Sequence, residues 1–402
     1  MVPPAGDVTL RNARPWRGGP GGLVDLVLRG DRVGAVHPVG QAPSSDRELD
    51  LEGRLVLPGL LNGHDHLDLA VLPALGRPPH ADAADWTQAV QMALSASRPG
   101  DLPDLAPRDA LFLGGLRNLL AGVTAVAHHG AYHRSLGRPD FPVWVLDRYQ
   151  FARHLGTAAE LRRTYRSTDR RIPWFVHAAQ GSEATAAADI QRLTDANLLR
   201  QNTVLVGGLA LREDDAARLA AARAALIWCP EADRLLYGRT AIPSRLRAAG
   251  VVVGLGSESA LTGARDLLST LAAAARESGL SSDEVLALAT EGTAATARLP
   301  LGAFEVGARA DFLVTPSVDA ILSADRRAVD LVLVAGQPRY GSVPLMGALG
   351  VPTGGVFVEG EEKALDLPMA RRFSALVGRV RSRRRAAWLD GVSFASETSA
   401  AG

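Results

Sequence analysis

The sequence predicts an α/β protein built around a (β/α)8 TIM-type barrel, with a small β-sandwich formed by its N- and C-terminal segments. Between residues 58 and 297, short apolar stretches rich in β-branched residues alternate with helical stretches. This alternation is typical of parallel strands covered by helices, and its length matches a barrel of this kind. The flanking segments contain alternating apolar patterns and glycine turns instead, which are typical of antiparallel strands.

These patterns divide the chain into four predicted segments. Residues 1–57 and 298–360 supply the two parts of the β-sandwich, residues 58–297 form the barrel, and residues 361–402 form a helical tail. Seven barrel strands are clear, and an eighth is expected near DRYQFARHLG (147–156). An open doubly wound sheet is the weaker alternative, because the chain contains no GxGxxG opening a helix and no GxxxxGK[ST].

The overall composition restricts the partners. The 402 residues include 44 Lys and Arg against 43 Asp and Glu, which gives a net charge of +1. Bulk charge therefore gives no reason to expect nucleic acid or an anionic membrane as partner. No secretory leader and no membrane-length apolar run is apparent, and Cys229 is the only cysteine. We expect a cytoplasmic protein that acts on a small molecule; a homodimer is left open.

The strongest chemical signal is PGLLNGHDHLDL, in which His64 and His66 follow an apolar strand. Side chains two apart on a strand share one face, and the carboxyl ends of barrel strands surround the active site. Two imidazoles that converge there suit a divalent ion such as zinc. Asp65 points the other way and is expected to orient its neighbours. A chance H-x-H in a polar loop is the alternative.

Several motifs in order resemble the amidohydrolase superfamily, nearest to its cytosine-deaminase and chlorohydrolase-like branch, over most of residues 8–345. They are PGLLNGHDH, AGVTAVAHHG, WFVHAAQG, CPEADRLLYG, VVVGLGSES, FEVGARADFLV and VDLVLVAGQPRYG. The resemblance implies a mononuclear metal site that activates water. It assigns the metal ligands as His64, His66, His177 and, in place of the usual aspartate, Glu258.

The same comparison indicates a degenerate active site. Gln180 stands where the superfamily usually has a proton-shuttling glutamate, and an amide cannot act as general acid or base near neutral pH. Gly207 or Gly208 stands where it usually has a histidine, and no histidine follows His177. Lys363 is the only lysine and lies near the C-terminus, which excludes the lysine-bridged two-metal form.

Three residues are candidates for catalysis at this altered site. Glu258 is a candidate proton acceptor if it is not itself a metal ligand. His129 offers a second route for protons together with its neighbour His128, and Gln180 occupies the former acid–base position. Asp233 is a further candidate for the barrel mouth. We expect one divalent metal ion, zinc or else iron or manganese, and the substitutions leave a metal-free chain open.

Three functions remain in competition. The first is hydrolysis of a non-peptide C–N bond in a small cyclic amide, amidine or amino-heterocycle by metal-activated water. The second is a related barrel enzyme with altered chemistry, such as cyclisation, dehydration or C–C cleavage, which the losses at Gln180 and Gly207 favour. The third is a non-catalytic binding or scaffold protein that keeps the fold.

Overall fold

The computed structural model describes most of the chain, and all statements below concern that part. None of the helices it contains combines the length and the apolarity that crossing a membrane requires. The described residues are 7–17, 22–152, 155–241, 243–300, 303–380 and 385–394.

The N-terminal segment folds into five strands whose buried positions are mostly valine, leucine and alanine. Strand β1 is central, since it pairs antiparallel with β2 and parallel with both β4 and β5. Strands β2 and β3 are antiparallel neighbours joined by a short turn at Gly30 and Asp31, so they form a hairpin. The strands are β1 (Val8–Pro15), β2 (Val24–Arg29), β3 (Arg32–Pro38), β4 (Arg47–Asp50) and β5 (Leu55–Pro58).

Eight short strands follow, and every pairing among them is parallel. Most of their residues are buried, as expected for parallel strands packed on both faces. The strands are β6 (Leu60–Asp65), β7 (Val123–His128), β8 (Trp144–Val145), β9 (Gln150–Ala152), β10 (Trp174–Ala178), β11 (Thr203–Gly207), β12 (Ala225–Trp228) and β13 (Val252–Leu255).

These strands form two sheets in chain order, β6-β7-β8 and β9-β10-β11-β12-β13. A parallel bridge between Asp65 and Glu258 brings the last strand back to the first. Between β8 and β9 the described residues form no pairing. The α/β class with parallel strands is thus confirmed, and β9 lies where the eighth strand was predicted.

The C-terminal segment completes the terminal sheet. Strand β14 pairs antiparallel with β5, with Val314 opposite Val56, so both ends of the chain share one hydrogen-bonded sheet as predicted. From β14 the sheet continues through β15, β16, β18 and β17 to β19. The strands are β14 (Phe312–Thr315), β15 (Leu331–Val334), β16 (Gln337–Ser342), β17 (Thr353–Val358), β18 (Glu361–Asp366) and β19 (Val392–Phe394).

The prediction of a purely helical tail over residues 361–402 is wrong. Strand β18 opens this segment and pairs along its whole length with β17, and β19 pairs with the other edge of β17. The predicted segment boundary at residue 360 therefore falls within the hairpin formed by β17 and β18. A helix does occur between the two strands, at Leu367–Val377, and Asp366 caps it by accepting from the backbone N–H of Met369.

Helices cover the parallel strands and fill the space beside the terminal sheet. Several begin at side-chain caps. Asp82, Thr157, Asp266 and Ser281 accept hydrogen bonds from the first turns of the helices that begin at Ala83, Ala158, Leu267 and Ser282. The helices are α1 (Ala83–Ala96), α2 (Pro107–Leu120), α3 (Ala158–Arg166), α4 (Ala184–Ala187), α5 (Asp189–Asp195), α6 (Asp215–Ala222), α7 (Pro230–Tyr237), α8 (Pro243–Ala248), α9 (Leu267–Ser278), α10 (Ser282–Ala287), α11 (Thr293–Ala297), α12 (Val318–Leu322), α13 (Val343–Ala348) and α14 (Leu367–Val377).

Candidate metal centre

Four side chains from three separate strand ends converge on one point. His64 and His66 lie at the end of β6, His177 lies in β10, and Glu258 follows β13. One donor atom from each lies within 4.8 Å of the other three. Parallel strands place their carboxyl ends along a common rim, which is why residues so distant in sequence meet.

This donor set suits a divalent transition metal. Three imidazole nitrogens and one carboxylate oxygen are ligands that zinc accepts in a four-coordinate site. His64 and Glu258 are almost completely buried, with exposures of 0% and 5%, and a buried carboxylate among imidazoles is a costly arrangement without a cation or a shared proton. The geometry therefore fits a zinc-type ion held by these four residues.

His64 is held on both sides of its ring. Its Nε2 lies 2.6 Å from Oε1 of Glu258, and its Nδ1 lies 2.7 Å from Nδ1 of His129. A proton held between His64 and Glu258 would leave when a cation binds, since ligating imidazole nitrogens must be deprotonated. The His129 contact would then fix the tautomer of His64, which is the usual role of the group behind a ligating histidine.

Glu258 adopts an unusual backbone conformation. Its φ of 54° lies in the left-handed region, which is uncommon for residues other than glycine and often marks functional sites. Its Oε2 accepts a hydrogen bond from the backbone N–H of Ser259. Burial by itself raises the pKa of Glu258, but the neighbouring imidazoles, above all His64, outweigh burial and hold that pKa well below its ordinary value. The carboxyl group is thus ionised and able to bind a cation.

His128 and His129 separate to opposite sides of β7. His129 joins the centre: it is fully buried, stacks on Phe151 with ring centroids 5.0 Å apart, and touches His64. Burial and the adjacent imidazoles place the pKa of His129 well below its ordinary value, so the ring is neutral. His128 turns away, and its Nδ1 lies 3.2 Å from the backbone nitrogen of Leu67, with the N–H donating.

Gln180 lies beside His177. Its Oε1 is 3.1 Å from Nδ1 of His177, and since an amide oxygen can only accept, Nδ1 carries the proton. Gly207 ends β11 with a φ of 109°, and a side chain there would collide with Gln180. Of the two glycines predicted to stand in place of the superfamily histidine, Gly207 is the one that lies against Gln180, whereas Gly208 lies against leucine side chains.

A buried polar network supports the rim beneath the centre. Asp65 accepts hydrogen bonds from Nη1 of Arg117 at 2.9 and 3.0 Å and from Nδ2 of Asn118 at 2.7 Å. Asn62 donates to Asn118 and to Ser257, which immediately precedes Glu258. The predicted orienting position of Asp65 agrees with this geometry.

Sequence reasoning missed the two partners of Asp65 on α2. Arg117 and Asn118 are 1% and 2% exposed. The signal was available, because they are adjacent polar residues within the apolar run ALFLGGLRNLL (110–120) of this helix. Polar residues on a buried helix need internal hydrogen-bond partners. Asp65, which was predicted to point away from His64 and His66, was the acidic residue available to them.

A small cavity of about 190 Å³ lies on the His177 side of the centre, and His177 is the one of the four donors in its lining, together with Gln180. The lining also includes Asp82 and Ala83 from the segment after β6. That segment is fastened to the loop after β10, since the N–H of Ala83 donates to the carbonyl of Gln180 at 3.3 Å. The long connection after β6 thus covers one side of the rim.

Asp233 is a buried carboxyl group on the first turn of α7, 3% exposed. Burial raises its pKa to about 8, and Oγ1 of Thr240 donates to it at 2.8 Å. The charge of Glu258 adds to this rise in the pKa of Asp233. Its predicted place at the barrel mouth stays a prediction.

The chain's lysine and cysteine differ in their relation to the centre: Lys363 has its contacts elsewhere, whereas Cys229 lies beside Glu258 and has a hydrogen bond with its backbone. Lys363 lies in β18, where its Nζ donates to the carbonyl of Arg327 and pairs with Glu361. Cys229 is buried, and burial raises the pKa of its thiol. Lys363 is thus engaged by Arg327 and Glu361, away from the four donors.

Comparison with known proteins supports the sequence resemblance. The model of the amidohydrolase family matches residues 150–339. The chain is 26% identical over 346 residues to a 5-methylthioadenosine/S-adenosylhomocysteine deaminase from Halobacterium salinarum, covering 70% of this chain and 78% of that protein. It is 24% identical over 364 residues to the protein of the same name from Natronomonas pharaonis, covering 73% and 82%.

Solved structures share the fold at lower identity. An adenosine deaminase from Xanthomonas campestris with bound zinc is 18% identical with a TM-score of 0.67, covering 83% of this chain and 92% of that one. Atrazine chlorohydrolase from Arthrobacter aurescens, complexed with zinc, is 18% identical with a TM-score of 0.67, covering 82% and 94%. At this identity the likeness establishes the fold.

Proposed function

We propose that the protein, whose residues 150–339 match the model of the amidohydrolase family, is a metal-dependent hydrolase of a non-peptide C–N bond in a small cyclic amide, amidine or amino-heterocycle. One observation carries the proposal: donor atoms of His64, His66, His177 and Glu258 lie within 4.8 Å of one another. The deaminase relatives support the bond type. We also propose that the eight parallel strands form a closed (β/α)8 barrel.

A divalent ion at this centre would supply a bound water of lowered pKa and polarise the bond to be cleaved. The protein would contribute the rest. Glu258 is ionised and supplies the negative charge among the four donors. His129 holds His64 through Nδ1, and the segment after β6 limits access of bulk water to the rim. Because Gln180 cannot titrate, Glu258 is the proposed proton acceptor among these residues.

The size of the cavity beside the centre favours a small substrate. At about 190 Å³ it lies below the roughly 300–1,000 Å³ of pockets that enclose drug-sized ligands. Asp82, Asp189 and Arg192 lie on its wall and offer both hydrogen-bond acceptors and a donor. A single heterocyclic ring with an exocyclic amino group or ring amide fits this space and polarity.

The test is a screen for C–N hydrolysis. Zinc-loaded protein is incubated with a panel of cyclic amides, amidines and amino-heterocycles, and ammonia release and ring opening are measured. We expect turnover of a single-ring member that is lost in His64→Ala and Glu258→Gln. Absence of turnover across the panel in zinc-loaded protein would count against the proposal.

Altered chemistry is the second candidate, and one observation favours it. Gln180 and Gly207 together replace two groups that would move protons, and the space beside Gly207 is filled. A cyclisation or dehydration that needs only one proton acceptor would be compatible with Glu258 alone. Product analysis by mass spectrometry separates the two candidates, because hydrolysis adds the elements of water and dehydration removes them.

A further inference from the structure

We propose that Gln180 and Gly207 form a matched pair that positions His177 for metal binding, in place of a pair that moves protons. The inference rests on the proposed function, because it concerns the same metal centre. It assigns Gln180 a positioning role rather than a catalytic one, and it gives the absence of a side chain at residue 207 a structural reason.

The first step is the contact between Gln180 and His177. The 3.1 Å hydrogen bond from Nδ1 of His177 to Oε1 of Gln180 fixes the proton on Nδ1. The lone pair is then on Nε2, the nitrogen on the far side of the ring. A ligating histidine almost always donates its other N–H to such an acceptor, which fixes both the tautomer and the ring orientation.

The second step is the space over Gly207. A Cβ built there would lie 2.3 Å from Cγ and 3.2 Å from Cδ of Gln180. No real Cβ tolerates the shorter distance, so even alanine at residue 207 would displace the glutamine. The side chain of Gln180 thus lies directly over the α-carbon of Gly207, and the observed hydrogen bond to His177 depends on glycine at that position.

The third step is the backbone that aims Gln180. Ala179, just before it, has a φ of 53°, and the N–H of Ala179 donates to Oδ2 of Asp189 at 2.8 Å. The carbonyl of Ala179 accepts from Ala210, which follows β11. These bonds hold the turn after β10 against the end of β11, so the glutamine is directed at His177 by fixed backbone.

The consequence concerns substitutions in this chain. Introducing histidine at residue 207 while Gln180 remains would displace the glutamine and break its hydrogen bond with His177. The two positions are therefore coupled, and they must change together if either is to regain a titrating side chain.

The experiment measures zinc affinity by competition with a chromophoric chelator. Gln180→Met keeps nearly the same length but removes the strong acceptor, and we expect zinc affinity to fall about 10- to 100-fold, the usual cost of losing a supporting residue. Gln180→Glu keeps an acceptor of the same shape and serves as the matched control. It should bind zinc at least as tightly as the wild-type chain.

A double-mutant cycle tests the pairing. Gly207→Ala should weaken zinc binding about as much as Gln180→Ala, and the double variant should lose little more, because the collision and the hydrogen bond are one interaction. The strain of alanine at a positive φ is present in both backgrounds and cancels in the cycle. Additive losses would overturn the pairing.

A measurement on the metal-free protein tests the inference independently of zinc binding. Nitrogen-15 spectra of histidine-labelled apoprotein should show the Nδ1–H tautomer of His177 in the wild-type chain and in Gln180→Glu, and its loss in Gln180→Met. An Nε2–H tautomer in the wild-type chain would overturn the inference. If the wild-type chain binds no zinc, the proposed function fails; if it binds zinc and Gln180→Met binds equally tightly, only the role of the pair fails.

Discussion

His64 and Glu258 are separated by 194 residues in the chain, yet Nε2 of the first lies 2.6 Å from Oε1 of the second. The contact joins the end of β6 to the segment after β13, next to the bridge between Asp65 and Glu258. The first and last strands of the parallel set thus meet at the centre itself. Metal binding and the contact between the first and last parallel strands are therefore expected to depend on the same few residues.

Glu258→Gln should greatly weaken metal binding. The carboxylate is the only anion among the four donors, and an amide retains its shape without its charge. We expect zinc affinity to fall by more than the roughly 10- to 100-fold that loss of a supporting residue costs. Chelator competition measures the change. Glu291→Gln, at a side chain 52% exposed on the surface, is the control and should bind as the wild-type chain does.

The Asp65–Arg117 ion pair should be essential for stability. Both side chains are buried, with 0% and 1% exposure, so removing one partner leaves the other as an unpaired buried charge. Arg117→Met is expected to lower the free energy of unfolding by about 3–5 kcal/mol, measured by urea denaturation. Arg171→Ala breaks an exposed pair with Asp169 and should cost no more than about 1 kcal/mol. Equal effects of the two substitutions would contradict this account of the network.

Asp233 should make the protein less stable as the pH rises. Burial raises its pKa from an ordinary value of 3.8 to about 8, so between these values the folded state holds a proton that the unfolded state has released. Stability is then greatest below the lower value and declines as the pH approaches the upper one. Asp233→Asn removes the titration, and its melting temperature should fall less between pH 5 and pH 8 than that of the wild-type chain. An identical pH dependence in both proteins would refute the assignment.

Zinc should raise the melting temperature of the metal-free protein. A ligand that binds only the folded state stabilises it by about 2.7 kcal/mol at one hundred times its dissociation constant. The shift should be absent in His64→Ala. Magnesium is the control metal, because it prefers oxygen ligands in octahedral geometry and this donor set has three nitrogens. A shift of equal size with magnesium would contradict the assigned ligands.

The residues of the centre were predictable because each lies at the end of a recognisable strand. The period of two places His64 and His66 on one face, and the parallel arrangement places His177 and Glu258 at the same rim. The pairing of His64 with His66 needs only local pattern, whereas His177 and Glu258 were assigned through the resemblance to the amidohydrolase superfamily. The structure then adds the distances, which no sequence pattern provides.

The contacts behind the donors were less predictable, because they depend on which side chain fills a particular space. Gln180 was interpreted as a lost acid–base residue, but its contacts with His177 and Gly207 become visible only with coordinates. The prediction of a helical tail over residues 361–402 was wrong for a similar reason. The run EKALDL in residues 362–367 has no strong local preference for a strand, and its pairing with Thr353–Val358 decides its conformation.

The most direct test of the central claim is the metal content of the purified protein, measured by elemental analysis together with melting before and after chelation. The account predicts about one equivalent of zinc per chain, as a single four-ligand site holds, with a lower melting temperature after chelation and no metal in His64→Ala. Less than about a tenth of an equivalent after zinc supplementation, with melting unchanged by chelation, would contradict it.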